Sequence, residues 1–248
     1  MKDWLIVIPA RLESTRLHEK PLQDLGGKPL IVRVYENLKP LKELGAKIIV
    51  ATDSEKIYQC CEQENVEVEM TSDAHQSGTD RCQEVASRHD YEFVLNVQGD
   101  EPFADTESLI NLCNKLKQTT WAEMATVVQR VEDGVGYFDK NIVKVTLTTE
   151  GKALYFSRAP IPLNRQDPDG SQPFYQHQGV YAFKRDTLKN FVSLPVSPLE
   201  NLEKLEQLRA LEHGMSILCV MSSKKSIGID TQADLDEASK IFHQNLEK

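Results

Sequence analysis

The chain has 248 residues, 40% hydrophobic and 27% charged, with a formal net charge of −9. That length supports a substantial core in one large α/β domain or two small ones. The acidic balance argues against a general nucleic-acid binder, although a few converging cations still suffice to hold a small anion.

The first apolar run is Leu5–Ile8, and it stops at Pro9. The stretch after it, "VIPARLESTRLHEKPL", carries Arg11, Arg16 and Lys20 and has no glycine until Gly26. Further strand-like runs follow at Ile48–Val50, Val66–Val68 and Phe93–Val97. Helical patterns lie between them, over 29–44, 54–64 and 78–88. Strands alternating with helices predict a mostly parallel central sheet covered on both faces. Such sheets bind ligands beyond the carboxyl ends of their strands, here 9–20, 52–54, 71–81 and 98–102.

After residue 120 the alternation weakens. Met124–Val128, Ile142–Leu147 and Val180–Phe183 read as strands, and 160–178 as a long loop. The expectation is one domain over 1–248, with a smaller mixed α/β lobe near 120–190. One continuous helix is predicted over 197–213, with Ser197 and Glu200 forming a capping box. Its leucines at 199, 202, 205, 208 and 211 cover a wide arc at ~100° per residue, and Glu206 falls inside that arc while Gln207 points away. Glu206 is therefore either an edge carboxylate reaching water or a site residue. Strands at Ile217–Met221 and Ser226–Ile229 and a helix from about 231 complete the chain.

The five cysteines, Cys60, Cys61, Cys82, Cys113 and Cys219, form no CxxC pair and read as buried thiols of a reducing compartment. There is no signal-peptide h-region and no run near the ~18 apolar residues of a membrane span, so a soluble cytoplasmic protein is expected.

Arg11, Arg16 and Lys20 leave the first strand at the ligand edge. They suit phosphate oxygens, with small Ala10 and Ser14 allowing close backbone approach; a solvated loop is the alternative. In "NVQGDEP", Gly99 is expected to serve a sharp turn, and Asp100 lands where a carboxylate reaches a ligand-bound metal. Asp230 is either a second such carboxylate or a helix N-cap. "HQSGTDR" places Ser77, Gly78 and Thr79 at a helix start, with Asp80 and Arg81 behind them. Arg158, His177 and Tyr181 are candidates in the second lobe, and His177 is either an acid–base group or a structural one. HExxH, GxSxG, GxGxxG and GxxxxGK[ST] are absent from the sequence.

The segments "IPARLESTRL", "KPL", "ATDSE", "SGTDR", "NVQGDEP", "LYFSRAPIP", "HQGVYAF", "PLENLEKLEQLRALEHG" and "GIDTQADL", in this order over about 5–238, closely resemble the 3-deoxy-manno-octulosonate (Kdo) cytidylyltransferases, also called CMP-Kdo synthetases. The resemblance implies a Rossmann-like nucleotidyltransferase that converts CTP and Kdo to CMP-Kdo and pyrophosphate with Mg²⁺, for lipopolysaccharide synthesis. It also implies a homodimer, formed through the second lobe, with no nucleic-acid or membrane partner. It implies that Ala10, Arg11, Ser14, Arg16, Lys20, Gln98 and the Ser77–Gly78–Thr79 turn hold the nucleotide. Asp100 and Asp230 would hold the metal, with Arg16, Lys20 and both aspartates forming the catalytic set. Arg81, Arg158, His177, Tyr181, Glu206 and Gln207 would meet the sugar acid. Two departures stand out: His18–Glu19 replaces a common Pro–Gly pair, and Asp80 replaces a common Glu. The alternatives are the same chemistry on another acidic sugar, such as an 8-amino Kdo analogue or a sialic-acid-like ketose, and a non-catalytic nucleotide-sugar binding protein.

Overall fold

The computed structural model describes residues 1–13, 16–222, 224 and 227–246, the last four in backbone only. It is an α/β structure in two compact units, Met1–Thr106 with Ser226–Lys248, and Glu107–Lys225.

In the first unit, strands β1 (Trp4–Ala10), β2 (Lys47–Thr52), β3 (Val68–Met70) and β4 (Phe93–Asn96) lie in the order β3-β2-β1-β4, all parallel. Leu5, Ile6, Val7 and Ile8 are fully buried, as expected for a parallel strand covered on both faces. Trp4 stacks on Phe93 across the β1–β4 pair, ring centroids 4.9 Å apart. The chain steps outward from β1 to β2 and β3, then returns to β4 on the other side of β1. This reversal is a topological switch point, and it opens a crevice past Ala10 and Asn96.

The expected helix over 29–44 is two helices, α1 (Leu30–Asn37) and α2 (Lys39–Glu43). Pro40 has no N–H for the α-helical ladder, and the chain breaks at Leu38 just before it. Helix α3 (Glu55–Gln63) is capped by Ser54. Val66, expected in a strand, instead donates its N–H back to Cys61 O and is buried, so β3 begins two residues later. Helix α4 (Gly78–Ser87) starts in a full capping box, with Asp80 N–H donating to Ser77 Oγ at 3.1 Å and Ser77 N–H to Asp80 Oδ2 at 3.0 Å. The shorter Asp therefore closes the box as Glu would.

The second unit opens with α5 (Thr106–Gln118), which buries Leu109, Leu112, Cys113 and Leu116 along one face. Strand β5 (Met124–Val131) lies between the antiparallel β8 (Phe174–Lys184) and the parallel β9 (Ile217–Ser222). Strands β6 (Lys144–Leu147) and β7 (Ala153–Ser157) form an antiparallel pair, with β6 also on β8. The expected loop thus ends at residue 173, and β8 is far longer than Val180–Phe183. Helix α6 (Arg185–Ser193) follows it.

The expected helix over 197–213 is also broken, into α7 (Pro198–Glu203) and α8 (Gln207–Glu212). Lys204 between them is left-handed, at φ 53°. The two helices are clamped by a buried bidentate pair, Arg209 Nε to Glu200 Oε2 at 2.8 Å and Nη2 to Oε1 at 2.6 Å. The continuous leucine wheel does not exist: Leu208 is fully buried while Leu202 is 79% exposed. The ranking of Glu206 over Gln207 lapses with it.

No strand covers 227–229. Helix α9 (Gln232–Leu246) returns to the first unit, capped by Thr231 Oγ1, which accepts from Asp234 N–H at 3.2 Å. Among the described cysteines, Cys61, Cys82, Cys113 and Cys219 are buried and Cys60 is half-buried, all as thiols.

The Glu200–Arg209 clamp sets the α7–α8 geometry. Glu200→Ala removes both short hydrogen bonds from a buried guanidinium, leaving Glu206 3.9 Å away as a weaker partner, and is expected to cost about 3–5 kcal/mol in urea unfolding. A loss below about 1 kcal/mol would contradict the clamp.

Candidate active site

A cleft of about 390 Å³ opens in the first unit at the carboxyl ends of β1 and β4, lined by Ala10, Arg16, Lys20, Gly78, Gln98, Asp100 and Asp230 among others. Its centre is one ammonium between two carboxylates. Lys20 Nζ donates to Asp100 Oδ2 at 2.6 Å and to Asp230 Oδ1 at 3.0 Å. Arg16 Nη2 reaches the same Asp230 oxygen at 3.1 Å. Burial works against the Lys20 charge, but attraction and hydrogen bonds from Asp100 and Asp230 outweigh it and raise the lysine pKa above its ordinary value.

Local structure aims each group. Lys20 opens a short 3-10 turn, Lys20–Leu22, preceded by Glu19 in the left-handed region at φ 45°. That conformation suits glycine and costs an ordinary residue about 1 kcal/mol or more, which explains the glycine common here in the resembled family. In this chain Lys56 donates to Glu19 Oε1 at 2.5 Å, and that bond holds the Glu19 carboxyl below the usual range. Asp230 is placed by α9. Thr231 and Asp234 supply the cap, so the Asp230 carboxylate remains free of capping and faces Lys20. Ile229 N–H donates to Asp100 O at 2.9 Å and ties the two acidic segments together.

Gly99 sits in the expected sharp turn, closed by Glu101 N–H to Gln98 O at 3.3 Å, and it also serves close approach. It is not at positive φ, yet a Cβ there would lie 2.9 Å from Pro9 O. A Cβ on Gly78 would lie 3.1 Å from Pro9 Cγ. Gly78 thus brings the α4 N-terminus to the cleft, where the helix dipole favours anions.

The other expected nucleotide residues fall as follows. Arg11 is exposed and donates to the His75 carbonyl. Ser14 lies outside the described residues. Ser77 serves the α4 cap, and Thr79 is buried against Asn96, 3.4 Å from its Nδ2. Gln98 donates its amide to Asn96 Oδ1 at 3.3 Å. Arg81 is fully buried in this unit, bound to Asp53 at 2.5 Å and to the Thr71 hydroxyl, while its Nε has no partner. Its anchor Asp53 lies in the 52–54 segment at the ligand edge and in "ATDSE", but no sequence pattern assigns it a role.

Asp100 and Asp230 converge on a single cation and offer hard oxygen donors. That donor set fits Mg²⁺, which takes one or two carboxylates and completes its shell with phosphate and water.

A second group of residues lies in the second unit. Arg158 follows β7, and its guanidinium donates to the Glu203 carbonyl at 2.8 Å, the Lys140 carbonyl at 3.0 Å and the Lys204 carbonyl at 3.5 Å. These partners are neutral, so its charge is not offset by them. Buried Lys144, whose pKa burial lowers, donates to Arg158 O at 2.7 Å and to Asp139 O and Ile142 O. His177 on β8 lies against Phe156 and Tyr181, centroids 5.0 and 5.4 Å away. Burial pushes its pKa down to about 3. The ring is neutral near pH 7, which removes the imidazolium acid left open by the sequence. Burial, then the nearby Glu206 charge, raises Tyr181 well above its ordinary value and keeps its O–H. Gln207 is 3% exposed, and its Nε2 has no hydrogen-bond partner. An orphaned buried donor of this kind is costly and marks a place for a ligand acceptor.

A family model described as Cytidylyltransferase matches residues 5–217. A 3-deoxy-manno-octulosonate cytidylyltransferase from Elusimicrobium minutum is 41% identical over 247 residues, covering 99% of this chain and all of that protein. Another, from Herminiimonas arsenicoxydans, is 43% identical over 254 residues, covering 98% of this chain and all of that protein. A solved structure of CMP:2-keto-3-deoxy-manno-octonic acid synthetase complexed with CTP superposes with a TM-score of 0.90 at 35% identity, over 98% of this chain and 99% of that one. The chain belongs to the cytidylyltransferase family, on the branch of the 3-deoxy-manno-octulosonate cytidylyltransferases.

Proposed function

We propose that this chain activates Kdo with CTP, forming CMP-Kdo and pyrophosphate for lipopolysaccharide synthesis. The observation that carries this reading is the cleft in which Lys20, Arg16, Asp100 and Asp230 converge at the switch point of the sheet. The anomeric hydroxyl of the sugar attacks the α-phosphorus in line, and the bond to pyrophosphate breaks. No covalent enzyme intermediate is needed, so catalysis is positioning and charge stabilisation.

In this reading Arg11, Arg16 and Lys20 hold the triphosphate, aided by the α4 N-terminus behind Gly78. Ala10 and Gly99 keep the backbone low enough for the phosphates to approach. Gln98, with its amide nitrogen engaged by Asn96, turns its carbonyl oxygen to the nucleotide. Ser77 acts through the cap. Asp100 and Asp230 would hold Mg²⁺, which when bound supplies Lewis-acid polarisation of the α-phosphate. The Lys20 ammonium offsets charge that grows on the departing pyrophosphate.

Arg158 holds the sugar carboxylate, since carbonyl partners leave its charge available. Tyr181 O–H and Gln207 Nε2 donate to sugar oxygens, while Glu206 and neutral His177 accept from hydroxyls. Alternating donors and acceptors around one cation suit a polyhydroxy acid. Arg81, expected at the sugar acid, is held by Asp53 beside the first-unit cleft with its Nε unpartnered, and in this reading serves the nucleotide. The reading includes a homodimer formed through the second unit and a cytoplasmic location. Among the described residues no helix is long and apolar enough to cross a membrane.

The test is pyrophosphate release with each nucleoside triphosphate and each acidic sugar, with and without Mg²⁺. CTP with Kdo is expected to be the preferred pair, and Asp100→Asn to lower kcat at least ~10²-fold. Near-normal turnover of that variant at saturating Mg²⁺ would remove Asp100 from the mechanism.

His177 makes a separate prediction about acid stability. Its folded pKa of about 3 lies below the ordinary 6.5, so the unfolded chain takes up a proton that the native ring refuses. Stability is therefore lost as pH falls from about 6.5 toward about 3. Between about pH 7.5 and 5, the wild type should lose on the order of 1–2 kcal/mol more than His177→Gln in denaturant unfolding. Equal losses would place the ring in a wetter setting.

A further inference from the structure

Thr126 sits in the middle of β5 with no exposed surface. The β5–β8 register breaks beside it: Thr126 pairs with Tyr181, but Val127 pairs with Gln178, so Gly179 and Val180 bulge out of the ladder. The bulge turns two backbone carbonyls onto one hydroxyl. Thr126 Oγ1 lies 2.7 Å from Val180 O and 3.2 Å from Gln178 O. A third neighbour, His177 Nε2, is 2.9 Å away.

The proton count at this hydroxyl has one satisfactory solution. Carbonyls only accept, so the single hydroxyl proton belongs to them. Were His177 Nε2 bare, three acceptors would compete for that proton, and the oxygen lone pairs would face a nitrogen lone pair. With a proton on Nε2, the ring donates to Oγ1 and the conflict at the hydroxyl is removed. An unmet buried polar group disfavours the other arrangement by roughly ten-fold or more. A neutral ring carries one N–H, so Nδ1 is then an acceptor. No described residue hydrogen-bonds to it, and Phe156 and Tyr181 flank the ring.

We propose that Thr126 is a positioning residue: its hydroxyl, anchored on the β8 bulge, fixes His177 as the Nε2–H tautomer and presents Nδ1 as an acceptor for a substrate hydroxyl. This rests on the reading of His177 as a sugar-acid contact. It adds that the contact demands an O–H donor on the substrate, and that the demand is set by a residue that never touches the substrate.

Two independent readouts test it. Long-range ¹H–¹⁵N spectra of the histidine rings, with His177 assigned by its loss in His177→Gln, should show the Nε2–H signature in the wild type and in Thr126→Ser. Thr126→Val, of nearly equal shape, should lose that preference and show a mixture of tautomers. In pyrophosphate-release assays Thr126→Val should raise the KM for the sugar acid roughly 5- to 10-fold, while the KM for CTP stays within about two-fold; Thr126→Ser should recover most of the loss. An Nδ1–H signature in the wild type would overturn the proposal, as would wild-type spectra and KM in Thr126→Val. If the valine variant does not fold, the wild-type and Thr126→Ser spectra still decide. Failure of the functional reading appears differently, as no pyrophosphate release by the wild type from any pair of triphosphate and sugar acid. That result would overturn the substrate-facing half and leave the tautomer assignment to the spectra.

Discussion

One ammonium between two carboxylates organises the first unit. Residues 20, 100 and 230 are far apart in sequence and meet because three separate local structures deliver them. The positive-φ turn at Glu19 aims Lys20 inward. Gly99 lets the segment after β4 pack against Pro9, which sets Asp100 at the strand end. The Thr231–Asp234 cap starts α9 without using the Asp230 carboxylate. Asp100 and Asp230 would repel each other across the cleft if left alone, and Lys20 removes that penalty. The same arrangement keeps a positive charge and two hard oxygen donors at the mouth of a parallel sheet, which is where a triphosphate needs them.

The second unit works by a different principle. Several of its site groups are neutral, and their roles follow from which protons they hold. Burial keeps His177 neutral and Tyr181 protonated, and leaves Gln207 Nε2 without a partner. Arg158 rests its guanidinium on backbone carbonyls, and Lys144 pins its own carbonyl. The break at Lys204 and the Glu200–Arg209 clamp separate α7 from α8, so that Glu206 and Gln207 stand at the start of a helix. Helix-wheel logic cannot rank two residues that sit at a helix terminus.

Much of the first unit was legible in the sequence. Continuous apolar runs mark fully buried parallel strands, and cations directly after such a run lie at the ligand edge. The S-x-x-D box of α4 and the capping pattern around Thr231 were legible for the same local reason. What was hidden depends on contacts between distant residues. Pro40 signals the α1–α2 break, but no local pattern marks the left-handed Lys204, because the Glu200–Arg209 clamp that surrounds it is a tertiary pair. The leucine spacing across 199–211 mimics one helix and misleads. Leu109, Leu112, Cys113 and Leu116 of α5 do carry a helical signature, whereas β7 and the first half of β8 show no clean alternation. Thr126 does not stand out in sequence, and Asp53 does so only by its place after β2, since their roles lie in what a bulge and a buried guanidinium bring to them.

The central claim is that Lys20 is held as an ammonium by both carboxylates. It is tested most directly by the pH titration of the Lys20 side chain, followed through its Cε and Nζ resonances. The account predicts a midpoint above the ordinary lysine value of 10.5, falling back toward it in Asp230→Asn. A midpoint at or below 10.5 in the wild type would contradict it, because burial would then outweigh the pair of aspartates.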